Sequence, residues 1–378
     1  MQIILPEMKF QFPAAGSYKW LYLLKMFFEK CDFYIVAKSS SRQGGIYGFS
    51  INSDACCVPR VFYSVPDSNW LEISPCKKVG YATGIINGKG VIFTIFPDDP
   101  EREPVVYPVN VVGCICHIAV YPEGHRLYTA NYVDGSLSEL ETDDLGVPFR
   151  LVRTIRHQGC GKNPLRQEKP HVHQVNITPD RKFLAVVDLG VDEIYSYPLT
   201  PENGIDEVNV IRHKILFSGC GPRHLVFTEN GNTAYLITEL SNNIVSLKYC
   251  NGHFEQYGQC SSLPEKCGCE STAAAIRLSP DEKFLLITNR GHDSITACPI
   301  NNGRLGEIIN VSCGGKWPRD GNFIAGGKYF LSANERSNRI ALFRYAPVDG
   351  KLENIGRDIM LPAPQQIISD FRIIETTK

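Results

Sequence analysis

The sequence predicts an all-β fold, a seven-bladed β-propeller, and three observations predict it. A pattern of strand, tight polar turn and second strand recurs, its copies are evenly spaced, and both ends of the chain carry incomplete copies. The landmark residues that end the second strands, Asn131, Asp188, Glu239, Asn289 and Asn334, follow one another at intervals of 45–57 residues. A repeat of this length built only from strands is typical of propellers.

Five copies of the pattern are clear. They read CHIAVYPEGHRLYTANY at 116–132, HQVNITPDRKFLAVVDLG at 173–190, RHLVFTENGNTAYLITEL at 223–240, AAIRLSPDEKFLLITNRG at 274–291 and PRDGNFIAGGKYFLSANE at 318–335. Alternating apolar residues predict the strands, and Pro-Asp, Glu-Asn-Gly and Pro-Glu-Gly predict the turns. A third alternating strand follows, as in IYSYPL or IVSLKY. Two β-sandwich domains are the alternative, but a sandwich gives no reason for repeats at this spacing.

The remaining blades come from weaker copies. NWLEISPCKKVGYATG at 69–84 keeps two strands with little of the turn signature. Residues 33–50 resemble a second and third strand without a first, whereas PQQIISDF at 364–371 resembles a first strand with nothing after it. Joined, they complete one blade from both ends of the chain and remove open sheet edges. We therefore predict seven four-stranded antiparallel blades in one domain, residues 32–378, preceded by an extension at 1–31.

Composition excludes several classes of protein. The net charge of −1 over 378 residues gives no electrostatic footprint for nucleic acid. No apolar run has the length of a membrane span, and WLYLLKMFF at 20–28 is interrupted by Lys25. The start lacks the basic leader of a secretory signal, and Met26 is an alternative start. We expect a cytoplasmic protein, a monomer or homodimer, without a nucleic-acid or membrane partner.

The 14 cysteines suggest no metal centre at the level of sequence. The close pairs are Cys56-Cys57, Cys114-x-Cys116 and Cys267-x-Cys269, and none has the paired spacing of a zinc site. A large chain without a small disulfide framework favours reduced thiols. We therefore expect structural or incidental cysteines and no metal centre.

Polar residues of unusual type recur at two places in the repeat. In a propeller blade the start of the first strand and the end of the second lie on the same rim of the central channel. The first-strand starts carry His117, His171, His173, Arg223, His224 and Arg319, and the second-strand ends carry Asn131, Asp188, Glu239, Arg290 and Asn334.

Each type of residue has a structural alternative to a role in binding. The Asn and Asp residues can cap turns, and single histidines such as His117 and His224 can be hydrogen-bonded structure. The three arginines are different, because guanidiniums gathered near one axis repel each other unless carboxylates or an anion balance them. An excess of arginine favours binding of phosphate or carboxylate, which guanidinium groups grip with two hydrogen bonds.

These motifs resemble the seven-bladed propeller lactonase family, which includes 6-phosphogluconolactonases and carboxymuconate-lactonising enzymes. The matching stretches are HVHQVNITPDRKFLAVVDLGVD, GPRHLVFTENGNTAYLITEL, LSPDEKFLLITNRGHDSI and WPRDGNFIAGGKYFLSANERSN, and the similarity covers about residues 32–371. The resemblance implies catalytic residues at His173, Arg223, Glu239 and Arg290, with Arg319 at the comparable place in the last blade. The first blade departs from the family, since its Gly-Thr-Tyr-Thr pattern is AKSSS here, and the second lacks the Asn-Pro-Ser start.

The resemblance implies a lactone hydrolase acting on an anionic sugar lactone, with 6-phosphogluconolactone as the expected small-molecule partner. His173 is the candidate general base, since imidazole titrates near neutral pH, and His171 is the competing candidate. Either Arg223 or Arg290 would stabilise the oxyanion, and the remaining arginines would hold the anion. The implied mechanism requires neither a metal nor an organic cofactor. The expected substrate-contacting residues are His117, His171, His224, Arg319, Asn131, Asp188 and Asn334. A lactonising cycloisomerase and a non-catalytic binding module remain alternatives, because propellers host many functions.

Overall fold

A computed structural model describes residues 31–39, 43–122, 125–200 and 202–369, which form seven antiparallel sheets. The extension predicted at 1–31 lies, apart from Cys31, outside the described residues. The first blade combines both ends of the chain. Its strands from the channel outward are β31 (Pro364–Ser369), β1 (Phe33–Ala37), β2 (Gly45–Ile51) and β3 (Cys57–Ser64). The predicted shared blade is thereby confirmed.

The next three blades follow in chain order, with the first strand of each innermost. Blade two comprises β4 (Leu71–Ile73), β5 (Gly80–Ile86), β6 (Lys89–Ile95) and β7 (Val105–Val112). Blade three comprises β8 (Ile115–Val120), β9 (Arg126–Asn131), β10 (Ser136–Thr142) and β11 (Pro148–Arg156). Blade four comprises β12 (Val172–Ile177), β13 (Phe183–Asp188), β14 (Glu193–Thr200), β15 (Gly204–Ile205) and β16 (Ile211–Lys214).

The last three blades repeat this order. Blade five comprises β17 (Pro222–Phe227), β18 (Thr233–Thr238), β19 (Asn243–Cys250) and β20 (His253–Ser261). Blade six comprises β21 (Thr272–Leu278), β22 (Phe284–Arg290), β23 (Ser294–Asn301), β24 (Arg304–Leu305) and β25 (Ile309–Ser312). Blade seven comprises β26 (Pro318–Ile324), β27 (Tyr329–Asn334), β28 (Arg339–Tyr345), β29 (Leu352–Asn354) and β30 (Ile359–Met360).

The innermost strands contact one another around a closed ring, in the order β4, β8, β12, β17, β21, β26, β31 and back to β4. Side chains of β31 secure the closure. The Gln366 amide accepts the Leu71 N–H at 2.6 Å and donates to the Leu71 carbonyl. The Ile367 N–H donates to Asp320 at 2.9 Å. The last strand is thus bonded to the blades on both sides.

Period-two alternation places apolar side chains between neighbouring blades, where burial of apolar surface stabilises the ring. Leu137 of blade three packs in one cluster with Val175 and Val186 of blade four, and all three are fully buried. The strand register corrects one detail of the predicted repeat. Thr238, and not Glu239, pairs at the position of Asp188 and Asn334, so Glu239 lies one residue beyond its strand.

Helix is almost absent from the described ranges. The only helical element there is a three-residue 3-10 turn, Glu335–Ser337. A membrane-crossing helix is therefore not present in the part of the chain that the structure describes.

Candidate active site

A β-bulge interrupts the first strand of most blades near its start. The register against the neighbouring strand skips one residue in five blades, at Cys116, His173, Arg223, Arg319 and Gln365. Bulges re-aim side chains and are common beside active sites. All five bulged residues line one pocket at the mouth of the channel, together with Asn69, Trp70, His224 and Asp320.

Blade six differs at this place. Its register skips Ala274 and Ala275, and neither lines the pocket. The blade instead contributes Arg290, at the end of β22, to the charge cluster around Glu239. The Arg290 Nη2 donates to the Ala273 carbonyl at 2.9 Å, which holds the guanidinium close to the channel mouth.

Glu239 lies at the centre of a buried charge cluster. Its Oε2 is 3.0 Å from Arg223 Nε and 2.9 Å from Arg290 Nη2, and its Oε1 pairs with Arg166. Burial opposes ionisation of this carboxyl, but the charges of Arg290 and Arg223 outweigh it and hold its pKa well below the usual range. Glu239 is therefore a carboxylate that positions three guanidiniums.

Arg223 is the most enclosed of these cations, with only 4% of its side chain exposed. Its Nη1 donates to the Ala274 carbonyl at 2.6 Å. Burial and the neighbouring Arg290 lower the pKa of Arg223 to about 9. An anion that reaches this guanidinium would stabilise its charged form, because unbalanced positive charge is unfavourable in a buried site.

Arg319 is less engaged than the other arginines of the site. Its nearest carboxylate contact is long, 3.7 Å from Nη1 to Glu335 Oε2, and 28% of its side chain is exposed. It lines the pocket, whereas Arg277 does not and is paired with Asp320 at 2.7 Å. Arg319 is thus the arginine best placed to grip a ligand anion without breaking a strong ion pair.

Three imidazoles and an indole form an aromatic cluster beside the arginines. The His224 ring is 5.1 Å from His173 and 6.2 Å from His117, and Trp70 lies 4.2 Å from His117 and 5.8 Å from His224. Burial, followed by the charge of Arg223, lowers the pKa of both His173 and His224 well below 6.5. Burial and the charge of Arg277 lower the pKa of His117 to about 3. All three rings are therefore neutral at pH 7.

The two candidate bases differ in their surroundings. His171 precedes β12, and its ring nitrogens lie 3.0 Å from the Tyr132 carbonyl and 3.1 Å from Glu168 Oε1. His173 lines the pocket, and its buried Nδ1 has no hydrogen-bond partner among the described residues. The bulge at His173 interrupts the alternation that would have aimed both rings alike. A free nitrogen is what an acceptor of a proton requires, and His173 offers it.

Cys116 is a pocket residue that the rim pattern overlooked. Its thiol donates to the His173 carbonyl at 3.2 Å. Burial and the nearby Cys114 raise the pKa of Cys116, so the sulfur stays protonated at neutral pH. A protonated thiol is a poor nucleophile, which leaves the imidazole as the stronger candidate for catalysis.

The structure does not bring Asn131, Asp188 or Asn334 to the pocket lining. All three are fully buried within their blades. Asn131 donates to Ser136 and Ser138, and Asn334 donates to the Cys313 carbonyl. Asp188 bonds His157 at 2.7 Å and accepts the N–H groups of His171 and Gly190. Their contacts are those of turn and strand supports.

The sequence analysis missed several residues of the site. Arg166 reaches Glu239 from the connection between blades three and four, and it also bonds the Tyr132 hydroxyl at 3.3 Å. Tyr132 contacts both candidate histidines, stacking on His171 and meeting His173 edge-on. Gln365 could have been found from the strand copy at 364–371, and Tyr132 from its place after Asn131. Arg166 has no sequence signal, because its loop lies outside the repeat.

Comparisons with known proteins agree with the propeller fold. A family model described as a seven-bladed β-propeller lactonase matches residues 32–369. The 6-phosphogluconolactonase of Bacillus subtilis is 27% identical over 339 residues, covering 88% of this chain and 96% of that protein. An uncharacterized protein of Staphylococcus saprophyticus is 34% identical over 266 residues, covering 69% and 75%. The structure of a putative 6-phosphogluconolactonase of Bacteroides fragilis superposes with a TM-score of 0.79 at 25% identity, covering 89% and 96%.

Proposed function

The chain belongs to the seven-bladed β-propeller lactonase family, and we propose that it hydrolyses an anionic sugar lactone, with 6-phosphogluconolactone as the substrate. The observation that carries the proposal is the charge of the channel mouth. Five guanidiniums, from Arg166, Arg223, Arg277, Arg290 and Arg319, meet three carboxylates, from Glu239, Asp320 and Glu335. The surplus of two positive charges favours an anionic ligand in a protein of net charge −1.

The arginines divide into two tasks. Arg223 lines the pocket and is locked by Glu239 and the Ala274 carbonyl, so it is a preorganised donor for the oxyanion. Arg319 is more exposed and weakly paired, so it takes the phosphate. Arg290 does not line the pocket and shares Glu239 Oε2 with Arg223, so it adds positive potential without direct contact with the substrate.

His173 activates the water. Neutral at pH 7 and with a free Nδ1, it can accept a proton from water as the oxygen attacks the lactone carbonyl. Arg223 stabilises the oxyanion that forms. When the carbonyl is restored, the bond to the ring oxygen breaks and the imidazolium returns its proton to that oxygen. The product is the open-chain acid, with one water consumed and no other reactant needed.

Substrate binding also improves the base. The arginines around His173 are part of what lowers its pKa, because a second positive charge is unfavourable beside them. A bound phosphate neutralises part of that charge and raises the imidazole pKa toward 6.5. The base therefore becomes stronger when the anionic substrate is present.

Hydrolysis of freshly prepared 6-phosphogluconolactone, corrected for spontaneous opening, tests the proposal. His173→Ala should lower kcat about 10²–10⁴-fold, the usual contribution of a general base, while His171→Ala should have a smaller effect. Arg319→Ala should raise KM for the phosphorylated lactone and leave unphosphorylated gluconolactone unaffected. Arg150→Ala, an exposed pair with Glu141 far from the pocket lining, is the control.

Two outcomes would contradict the proposal. Unchanged hydrolysis by a folded His173→Ala protein would remove His173 as the base. Absence of hydrolysis by the unmodified protein, for the phosphorylated and unphosphorylated lactone alike, would instead favour a propeller that binds an anion without catalysis.

A further inference from the structure

Three metal-ligating side chains meet on the rim of blade six, outside the pocket lining. One ligand atom from each of Cys267, Cys269 and His292 lies within 4.8 Å of the other two, and the two sulfur atoms are 3.0 Å apart. We propose that this cluster is a binding site for a thiophilic divalent cation, Zn²⁺. The proposal does not depend on the reaction that the propeller catalyses.

This cluster is not apparent from the sequence alone. Cys267 and Cys269 lie on the connection between β20 and β21, whereas His292 lies in the turn between β22 and β23. The predicted absence of a metal rested on the missing second pair beside Cys267-x-Cys269. The fold supplies the third ligand from a separate hairpin, 23 residues after Cys269. Fixed sequence spacing cannot reveal a site assembled in this way.

The donor set selects the cation. Two thiolates and one imidazole suit Zn²⁺, with Zn–S near 2.3 Å and Zn–N near 2.0 Å, and they exclude the oxygen-preferring Mg²⁺ and Ca²⁺. Cys269 is exposed, so the fourth position of a tetrahedral site faces water. Binding would separate the sulfurs to roughly 3.7 Å, the S···S edge of a tetrahedron with those bonds. A connection with Cys269 at its surface can accommodate that change.

A disulfide explains the arrangement less well. The sulfur separation of 3.0 Å exceeds the roughly 2.05 Å of a disulfide bond, and its formation would require a two-electron oxidant. A disulfide also gives no role to the imidazole. His292 is held toward the sulfurs by Ser294, whose Oγ is 2.7 Å from Nδ1 and itself accepts from Asn289. Such support of a ligating histidine is typical of metal sites.

The cluster is connected to the mouth of the channel. His292 follows Arg290 by two residues, and the adjacent Asp293 accepts the Trp317 N–H at 2.7 Å. The Trp317 ring lies 5.8 Å from the Arg290 guanidinium. A cation bound by both the β20–β21 connection and this turn would therefore restrict the motion of one side of the pocket.

The test uses the full-length, tag-free protein, reduced and treated with a chelator that is then removed. We expect it to bind one equivalent of Zn²⁺, and Co²⁺ in its place should give the intense thiolate charge-transfer absorption and the tetrahedral ligand-field bands. At a free Zn²⁺ concentration of about 100 times Kd, Tm should rise by roughly 4 °C.

Matched variants separate this site from incidental thiol binding. Cys269→Ser and His292→Ala should abolish the stoichiometric binding and the Co²⁺ spectrum, with the metal-free Tm unchanged. Cys76→Ser and Cys250→Ser, exposed cysteines elsewhere in the ring, should retain both. No Zn²⁺ binding by the reduced protein, or binding that His292→Ala does not alter, would overturn the proposal.

Discussion

Replacing Glu239 by Gln should destabilise the propeller and remove most of its activity while creating a better anion site. The carboxylate is 5% exposed and pairs with Arg223, Arg290 and Arg166. Glutamine keeps the shape and removes the charge. Three guanidiniums then face one another at the channel mouth without their shared counter-charge.

The expected loss of stability follows from the cost of leaving buried charge unpaired, about 3–5 kcal/mol. With an unfolding entropy of roughly 2.1 cal/mol/K per residue, a propeller of about 340 residues has an entropy near 0.7 kcal/mol/K. Dividing this loss of stability by the unfolding entropy predicts a fall in Tm of about 4–7 °C. Activity should fall about 10²-fold or more, because Arg223 loses the partner that positions it.

Glu139 provides a matched control. It is also fully buried and paired with two arginines, at 2.8 Å from Arg126 and 3.0 Å from Arg153, but it lies on the third strand of blade three. Glu139→Gln should lower Tm by less than Glu239→Gln, because burial raises the pKa of Glu139 despite the two arginines, so its charge is less favoured by the fold. It should leave lactone hydrolysis within about twofold of the unmodified protein, since Glu139 does not line the pocket.

Thermal unfolding with and without millimolar phosphate, at matched ionic strength, completes the experiment. Phosphate should raise the Tm of the Glu239→Gln protein more than that of the unmodified protein, because the anion replaces the lost carboxylate. A Glu239→Gln protein with unchanged Tm and unchanged activity would refute the argument that this carboxylate holds the arginines together. An equal phosphate effect in both Gln variants would refute the location of the anion site.

Two further predictions concern pH and chain closure. The pH profile of kcat/KM should have its acid limb below pH 6.5, because His173 must be unprotonated to act as a base and burial lowers its pKa. An acid limb above pH 7 would contradict this. Deleting residues 362–378 should remove β31, expose the edge of β1 and lower Tm by more than 10 °C, whereas deleting 371–378 should not, and equal Tm values for both deletions would contradict ring closure.

Periodicity was sufficient to predict the fold. The β-propeller, the number of blades and the blade shared by both chain ends follow from repeats whose apolar positions are read directly from the sequence. The register was less accessible, as the landmark assigned to Glu239 shows. Thr238 occupies that paired position, and Glu239 follows it. Because of this shift by one residue, the Thr238 side chain lies inside the blade and the Glu239 side chain reaches Arg223 at the channel mouth.

The site was predictable only where the repeat positions it. His173, Arg223 and Arg319 occupy equivalent places in their blades, and so they could be recognised together. Arg166 and His292 come from connections between strands, whose paths depend on the packed ring and not on local pattern. Trp70 belongs to the blade with the weakest signature, and its ring contacts with His117 and His224 depend on closure across the channel.

The bulges explain how a propeller can carry such a site at all. In a regular strand the side chains point alternately to the two faces of the sheet, and in stacked blades both faces pack on neighbouring sheets. No side chain of a regular inner strand therefore points from its open edge into the channel. In five of the seven blades one extra residue breaks this alternation and turns its side chain into the pocket, as for His173 and Arg223.

The residue after the bulge then has a different task. Gln174 accepts the N–H of Leu225 in the next blade, and Gln366 and Asp320 do the same for Leu71 and Ile367. These contacts satisfy backbone donors on strand edges that would otherwise remain open toward the channel. Pocket-lining side chains and ring-closing side chains are thus consecutive in sequence, and the same bulge that turns the first into the pocket directs the second onto the neighbouring blade.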